Sequence, residues 1–281
     1  MGELNDPRSA RSKRLRRLLR RADRYEQREF LAEGLTAVRE ALGARDDAGG
    51  AVVHEVLVGS SAGAAADEVL GRAGALGIPT TRCSDSVIDA LSETVTPQGV
   101  LARCSFVDVP FSSVTDSTPA LVVVAAAVRD PGNAGSLLRA ADAAGADAVV
   151  FCSGSVDPYN GKVVRASVGS LFHVPFVVDV SLDAAAHGLA DAGLQVFAAD
   201  GRGELDLDTL GDAGRLGAPT AWVFGNEAWG LDDEALGADV AGLVDSVVRI
   251  PIYGRAESLN LATAATLCLY ASARAQRLAE S

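Results

Sequence analysis

The chain has 281 residues, 48% of them hydrophobic and 22% charged, and contains no run of about 18 apolar residues. This is the composition of a globular protein long enough for one large domain or two smaller ones, and it excludes a membrane-spanning helix. The net charge of −12 argues against nucleic acid over most of the surface, but ten basic residues face five acidic ones in residues 1–30, against fifteen and thirty-two in the remainder.

In chain order, the spacing of Leu15, Leu18 and Leu19 predicts a helix over 12–24, and Phe30, Leu31, Leu35, Val38 and Leu42 predict a second over 30–42, stopped at Gly43. A strand over 51–58, a helix over 62–76, a short strand after Pro79, a helix over 84–92 and a strand over 100–107 complete an α/β unit of about 100 residues. Residues 108–119 are rich in Pro, Ser and Thr and read as a linker. Beyond it, the wholly apolar run 121–128 reads as a buried parallel strand. Helix 134–144, strand 147–152, a helix near 159–169, a strand near 174–178, helix 183–192, strands 194–200 and 220–225, helix 231–236, strand 247–252 and a long helix over 258–279 follow. Alternating strands and helices predict a parallel sheet covered on both faces.

Cys83, Cys104, Cys152 and Cys268 are dispersed, and His54, His173 and His187 form no metal-ligand pattern. The expectation is four reduced thiols, no metal and a cytoplasmic protein, since no apolar segment follows the basic N-terminus as it would in a secretory signal. The turn after the first parallel strand reads Gly132-Asn133-Ala134-Gly135, which lacks the dinucleotide fingerprint; the glycines before Lys162 have the wrong spacing for a phosphate loop; no nucleophile elbow is present.

Three segments carry the chemistry. Residues 128–150 deliver Asp130-Pro131-Gly132-Asn133 into a helix bearing Arg139, a pattern that a capping Asn and a surface Arg would also explain. Residues 222–234 run from a strand through Gly225, Asn226 and Glu227, where ligands bind in open α/β sheets, although an ordinary turn reads the same way. Residues 248–276 join a strand to a small-residued helix through Tyr253-Gly254-Arg255 and Glu257-Ser258-Leu259-Asn260, a polar run that packing alone does not require.

In this order the segments stand as DPGNxGxxxRxADAxG, FGNExxGL and RIPxxGxxESLNLAxAA, and together they resemble the three signature motifs of the SpoU/TrmH family of SPOUT methyltransferases. The stretch 159–176, with its RAS-x-GS core, is similar to the family's connecting region, so the resemblance spans roughly residues 120–275. It implies an α/β SPOUT domain over 120–281 with a parallel sheet and a deep trefoil knot, preceded by the linker 108–119. REFLAEGLTAVREAL (28–42) more weakly resembles the α/β RNA-binding domain often fused to this family and similar to kink-turn-binding ribosomal proteins; that domain is expected over 28–107, after a basic helix over 1–27.

The resemblance implies transfer of a methyl group from S-adenosylmethionine to a ribose 2′-hydroxyl of RNA, with ribosomal RNA favoured by the extra domain, in an obligate homodimer. Transfer RNA as substrate, or a non-catalytic RNA-binding or ribosome-assembly role, are the alternatives. By motif position, Arg139, Asn133, Glu227, Ser258 and Asn260 are the catalytic candidates. Gly225, Ile250 and Leu259, with Ala199, Asn226 and Pro251 beside them, are the cofactor candidates. A guanidinium rarely loses its proton, so Arg139 is expected to orient substrate phosphate and stabilise the developing alkoxide. The N-terminal basic run, by itself either a solvated helix or a phosphate-binding element, then becomes an RNA grip through Arg11, Arg14, Arg17, Arg21 and Arg28.

Overall fold

A computed structural model describes residues 2–46, 48–225 and 240–279, which fall into two compact units. The first comprises the chain up to Val107 together with Asp157–His173; the second comprises Asp108–Val156 and Val174 onward. The segment 157–173, read from the sequence as part of the C-terminal domain, therefore packs with the first unit.

The first unit is a mixed five-stranded sheet of β1 (Gly2–Leu4), β2 (Glu29–Glu33), β3 (Val53–Gly59), β4 (Thr80–Cys83) and β5 (Val100–Ser105), in the order β1-β4-β3-β5-β2. Strand β5 is antiparallel to both β2 and β3; the other pairs are parallel. Helices α1 (Ala10–Arg17), α2 (Arg21–Gln27), α3 (Leu35–Gly43), α4 (Ala65–Ala75) and α5 (Asp85–Leu91) accompany it. Two sequence expectations change here. Phe30 and Leu31 belong to β2 and not to a helix, because three consecutive apolar residues are buried there and Gly34, at φ +98°, turns the chain before α3 begins. The expected single helix over 12–24 is two, broken at Leu18–Arg20.

A buried ion pair ties segment 157–173 into this unit. Arg24 holds Asp157 through Nε at 3.0 Å and Nη2 at 2.5 Å, with both side chains 5% exposed, and its Nη1 donates to Leu18 O at 3.0 Å. Asp157 Oδ1 also accepts from the Tyr159 amide at 2.9 Å, so the pair has the extra hydrogen bonds that charge burial requires.

The second unit is a seven-stranded, wholly parallel sheet. Its strands are β6 (Leu121–Ala125), β7 (Ala148–Cys152), β8 (Phe176–Val180), β9 (Gln195–Ala199), β10 (Leu205–Asp206), β11 (Thr220–Phe224) and β12 (Ser246–Arg249), in the order β10-β12-β9-β11-β6-β7-β8. The apolar run expected to be strand to residue 128 leaves the sheet after Ala125, where Ala127 takes φ +52° and the Ser155 hydroxyl binds Ala125 O at 2.9 Å. The expected linker 108–119 contains the short helix α6 (Phe111–Thr115); its Phe111 ring lies over Gly188, where a Cβ would come within 2.6 Å of a ring carbon. Helix α7 (Pro131–Ala144) is opened by Asp130, whose carboxylate caps the Asn133 amide at 2.8 Å, with Pro131 at the first position, and is closed by Gly145 at φ +73°.

Val122, Val124, Val150, Val177, Leu189, Val196, Ala198 and Val223 form one side of the core. Trp222, fully buried, packs against Phe197 with centroids 5.3 Å apart and donates its indole N–H to Ser272 Oγ at 2.9 Å. That bond fixes the C-terminal helix (Leu261–Ala279) against β11 and satisfies a donor that would otherwise be orphaned. The expected helix over 231–236 lies outside the described residues.

Candidate functional site

Strands β12, β9 and β11 are neighbours, and their registers place Val248, Ala199 and Phe224 side by side. Ala199, Gly225 and Ile250 therefore stand at the C-terminal ends of three adjacent parallel strands, half-buried, at the edge where open α/β sheets bind ligands. Small residues at two of these ends leave main chain accessible to a flat ligand. Pro251 and Leu259 are also half-buried, while residues 252–258 between them are exposed.

The connection leaving β9 crosses β12. The Asp200 amide donates to Val248 O at 3.0 Å, and Gly203 lies so close to β12 that a Cβ there would meet Arg249 N and Val247 O at 2.7 Å. Arg249 fastens the crossing by donating to Gly203 O and Glu204 O at 2.9 Å each, and reaches Asp206 at 3.2 Å. Asp206 also caps the helix Leu207–Asp212 through the Thr209 amide at 2.8 Å; these bonds to Thr209, and then Arg249, hold its carboxyl below the usual carboxylate range. Farther along the exposed loop, the Tyr253 hydroxyl donates to Asp208 at 2.7 Å, which raises the phenol above its ordinary value. Sequence reasoning did not single out Arg249, Asp206 or Gly203. Arg249 stands inside the third motif, but its partners lie 43–46 residues earlier and no spacing rule reaches them.

Two catalytic candidates meet directly: Asn260 donates from Nδ2 to Asn133 Oδ1 at 3.0 Å. The remaining amide oxygen of the pair, Asn260 Oδ1, accepts from the Ala262 and Thr263 amides at 3.0 and 3.3 Å at the start of the C-terminal helix. Arg139 sits under two helical turns beyond Asn133 on α7, exposed, and neither it nor the exposed Ser258 makes a hydrogen bond or ion pair among the described residues. The candidates Asn226 and Glu227 lie outside the described residues. No group of His, Cys, Asp or Glu suited to a metal occurs among the described residues.

The five arginines assigned to RNA divide by environment. Arg14 is exposed and without an ion pair among the described residues, whereas Arg11 is paired with Glu55. Arg17 binds Asp23 at 2.5 Å and Glu26 at 3.3 Å. Arg21 lies 5.2 Å from the Tyr25 ring centroid, and Arg28, at φ +53°, lies 4.6 Å from that of Phe106.

A wholly parallel sheet with Ala199, Gly225 and Ile250 at three adjacent strand ends, in a chain that also carries a second α/β unit, defines the class. The SpoU rRNA methylase family profile matches residues 120–270, and the chain belongs to that family. The profile of an MRM3-like substrate-binding domain matches residues 10–102. RlmP of Bacillus subtilis, named as a 23S rRNA (guanosine(2553)-2′-O)-methyltransferase, is 32% identical over 274 residues, covering 96% of this chain and 98% of its own. The crystal structure of an AdoMet-bound rRNA methyltransferase from Sinorhizobium meliloti superposes with a TM-score of 0.79 at 29% identity, covering 97% of each chain. AviRb of Streptomyces viridochromogenes, a SpoU methyltransferase solved with AdoMet, gives a TM-score of 0.77 at 27% identity, covering 96% of this chain and all of that one.

Proposed function

We propose that the protein transfers a methyl group from S-adenosylmethionine to a ribose 2′-hydroxyl of 23S ribosomal RNA, in the cytoplasm and as a homodimer. The observation that carries this reading is the Asn133–Asn260 bond, which ties the first signature segment to the third, on the unit whose three strand ends gather the cofactor candidates.

The strand ends suit an adenosyl group: main chain is approachable at Ala199 and Gly225, and Ile250, Pro251 and Leu259 offer apolar surface. When bound there, S-adenosylmethionine supplies an electrophilic methyl on a sulfonium sulfur. Ala199, Gly225, Asn226, Ile250, Pro251 and Leu259 would hold it. The chain's own task is to align a weak nucleophile and stabilise its charge. Arg139, through its guanidinium N–H donors, orients the substrate phosphate and stabilises the oxyanion that develops at the 2′-position. Asn133 and Asn260 hold one another in place, and Ser258 and Glu227 complete the positioning of the ribose. The exposure of Arg139 suits a group that meets a large substrate at the surface.

A deep trefoil knot follows from the same reading. Its support is that strand β12 occupies the slot between β9 and β10, the segment 200–204 that joins those two strands spans it, and Arg249 pins that span. The first unit reads structured RNA, with the likeness to kink-turn-binding proteins as its basis.

The experiment is a tritiated methyl-transfer assay on unmethylated 23S rRNA and on bulk transfer RNA, followed by mapping of alkali-resistant linkages. One alkali-resistant site in 23S rRNA is the expected result. Label confined to transfer RNA, or to a base, overturns the substrate assignment, and absence of cofactor binding overturns the enzymatic one.

A further inference from the structure

Within the first unit, a groove of about 250 Å³ runs between α1 and the sheet, lined by Arg11, Arg14, Leu15 and Leu18 on the helix side and by Gln27, Glu29, Glu55 and Arg103 on the other. It is large enough for one nucleobase and too small for a duplex. Its chemistry is mixed in a particular way. The buried Leu15 and Leu18 close its floor, and three guanidinium and two carboxylate groups line the rest.

Both carboxylates are half-used. Glu29 takes Arg103 Nη1 at 2.6 Å on Oε1, with His54 at 3.7 Å from the same oxygen, and Glu55 takes Arg11 and the Thr81 hydroxyl, also on Oε1. In each case Oε2 has no partner among the described residues. Neither oxygen is sealed from solvent, since the one fully buried side-chain polar atom without a partner in the described structure is Ser92 Oγ. Arg14, exposed at the rim, has its whole donor fork uncommitted. Acceptors for N–H groups and a spare guanidinium thus line the same groove.

Resting on the RNA reading above, we propose that this groove receives a single unstacked guanine. Guanine carries two adjacent N–H donors, at N1 and N2, on its Watson–Crick edge, which call for carboxylate acceptors such as the two open Oε2 atoms. It also carries two adjacent acceptors, O6 and N7, which match an arginine fork. No other base offers both pairs. Extrusion of a single-stranded base is how proteins read RNA sequence, and the buried Leu15 and Leu18 form the floor on which the base edge would rest.

The test uses the full chain saturated with S-adenosylmethionine, so that nucleotides do not report on the cofactor site. Fluorescence anisotropy measures binding of labelled RNA pentamers UUGUU, UUAUU, UUCUU and UUUUU. UUGUU is expected to bind at least fivefold tighter than the other three, with the preference lost in Arg14→Ala and in Glu29→Gln. Arg14→Ala changes an exposed side chain and keeps the test valid should Glu29→Gln perturb folding. Equal binding of all four pentamers, which would mark a phosphate site, overturns the proposal; so does preference for another base, or a guanine preference that survives in both variants. A chain that methylates RNA without guanine preference loses the groove alone. A chain with the preference but no methyl transfer loses the enzymatic reading alone.

Discussion

Asn260 donates its side-chain amide to Asn133 at 3.0 Å while its own Oδ1 caps the C-terminal helix, so one residue, 127 positions from its partner, both starts a helix and sets the position of α7. The two functions separate by substitution. Asn133→Ala removes only the bridge; Asn260→Ala removes bridge and cap together. Loss of a cap costs about 1 kcal/mol and loss of one neutral hydrogen bond about 1 kcal/mol. Asn260→Ala is therefore expected to lower the urea midpoint more than Asn133→Ala. Both are expected to reduce kcat while leaving cofactor Kd within about twofold. A double-mutant cycle on kcat should show coupling of at least about 0.5 kcal/mol; strict additivity would mean that the two residues act independently.

That bridge was only half legible in the sequence. Asn133 and Asn260 stood out by their places in the first and third motifs of the family resemblance, but nothing in either segment specifies the other. The parallel sheet was legible from its apolar strands, since burial on both faces leaves no polar alternation. The second strand of the first unit was not: Phe30, Leu31 and Leu35 fit helical spacing as well as they fit a buried strand, and only pairing with β5 decides. β10, two residues long, has no periodicity at all and exists because Arg249 and Asp206 hold it against β12.

The N-terminal basic run is tested by point changes and not by deletion. Leu15 and Leu18 on and just after α1 belong to the core of the first unit, so deleting residues 1–26 would expose that core and confound RNA binding with unfolding. Point changes at exposed positions avoid this. Arg16→Gln with Lys13→Gln, both at exposed positions and outside the groove that Arg14 lines, is expected to reduce the slope of log K against log salt by about 0.7–0.9 for each phosphate that is no longer neutralised, measured on 23S rRNA fragments. Arg24→Gln is expected to act through stability alone, because its guanidinium is buried on Asp157 and cannot reach RNA.

Removing either member of that buried pair leaves an uncompensated charge. Asp157→Ala or Arg24→Ala should cost about 3–5 kcal/mol. Replacement of both by apolar residues should recover much of the loss. Urea unfolding of the four proteins checks this, and single variants within about 1 kcal/mol of the parent would show that the pair is not buried in solution.

All four cysteines are buried, and burial raises their thiols: Cys83 to about 11, with Glu55 adding to the rise, and Cys152 to about 12. An unfolded thiol titrates near 8.5. The folded state thus keeps protons that the unfolded state releases, so the thiol contribution to stability is complete below about pH 8.5 and falls as pH rises from about 8.5 toward 11. The urea midpoint should drop between pH 8.5 and 10, and the drop should shrink in Cys83→Ser. At pH 8, a disulfide-exchange reagent should titrate few thiols in the native protein and all four in urea; rapid native reaction would contradict the buried placement.

Arg139 carries the sharpest prediction about chemistry. It is exposed and engages no other described residue, so Arg139→Ala should leave the stability within about 0.5 kcal/mol of the parent. Its proposed work is to stabilise negative charge developing on the ribose oxygen, and loss of one such donor lowers turnover by about 10²–10³-fold. Cofactor Kd, read by calorimetry, should barely move. Arg139→Lys separates the two parts of the role, since an ammonium keeps the charge but loses the planar fork that grips a phosphate. If the fork matters, the lysine variant should raise KM for RNA more than it lowers kcat. If Arg139 acted as a base, the kcat–pH profile of the parent would rise toward high pH with a slope of one, and the lysine variant would move that limb downward by several units. A flat parent profile between pH 7 and 9, with a lysine variant still turning over slowly, is the outcome expected of an electrostatic stabiliser.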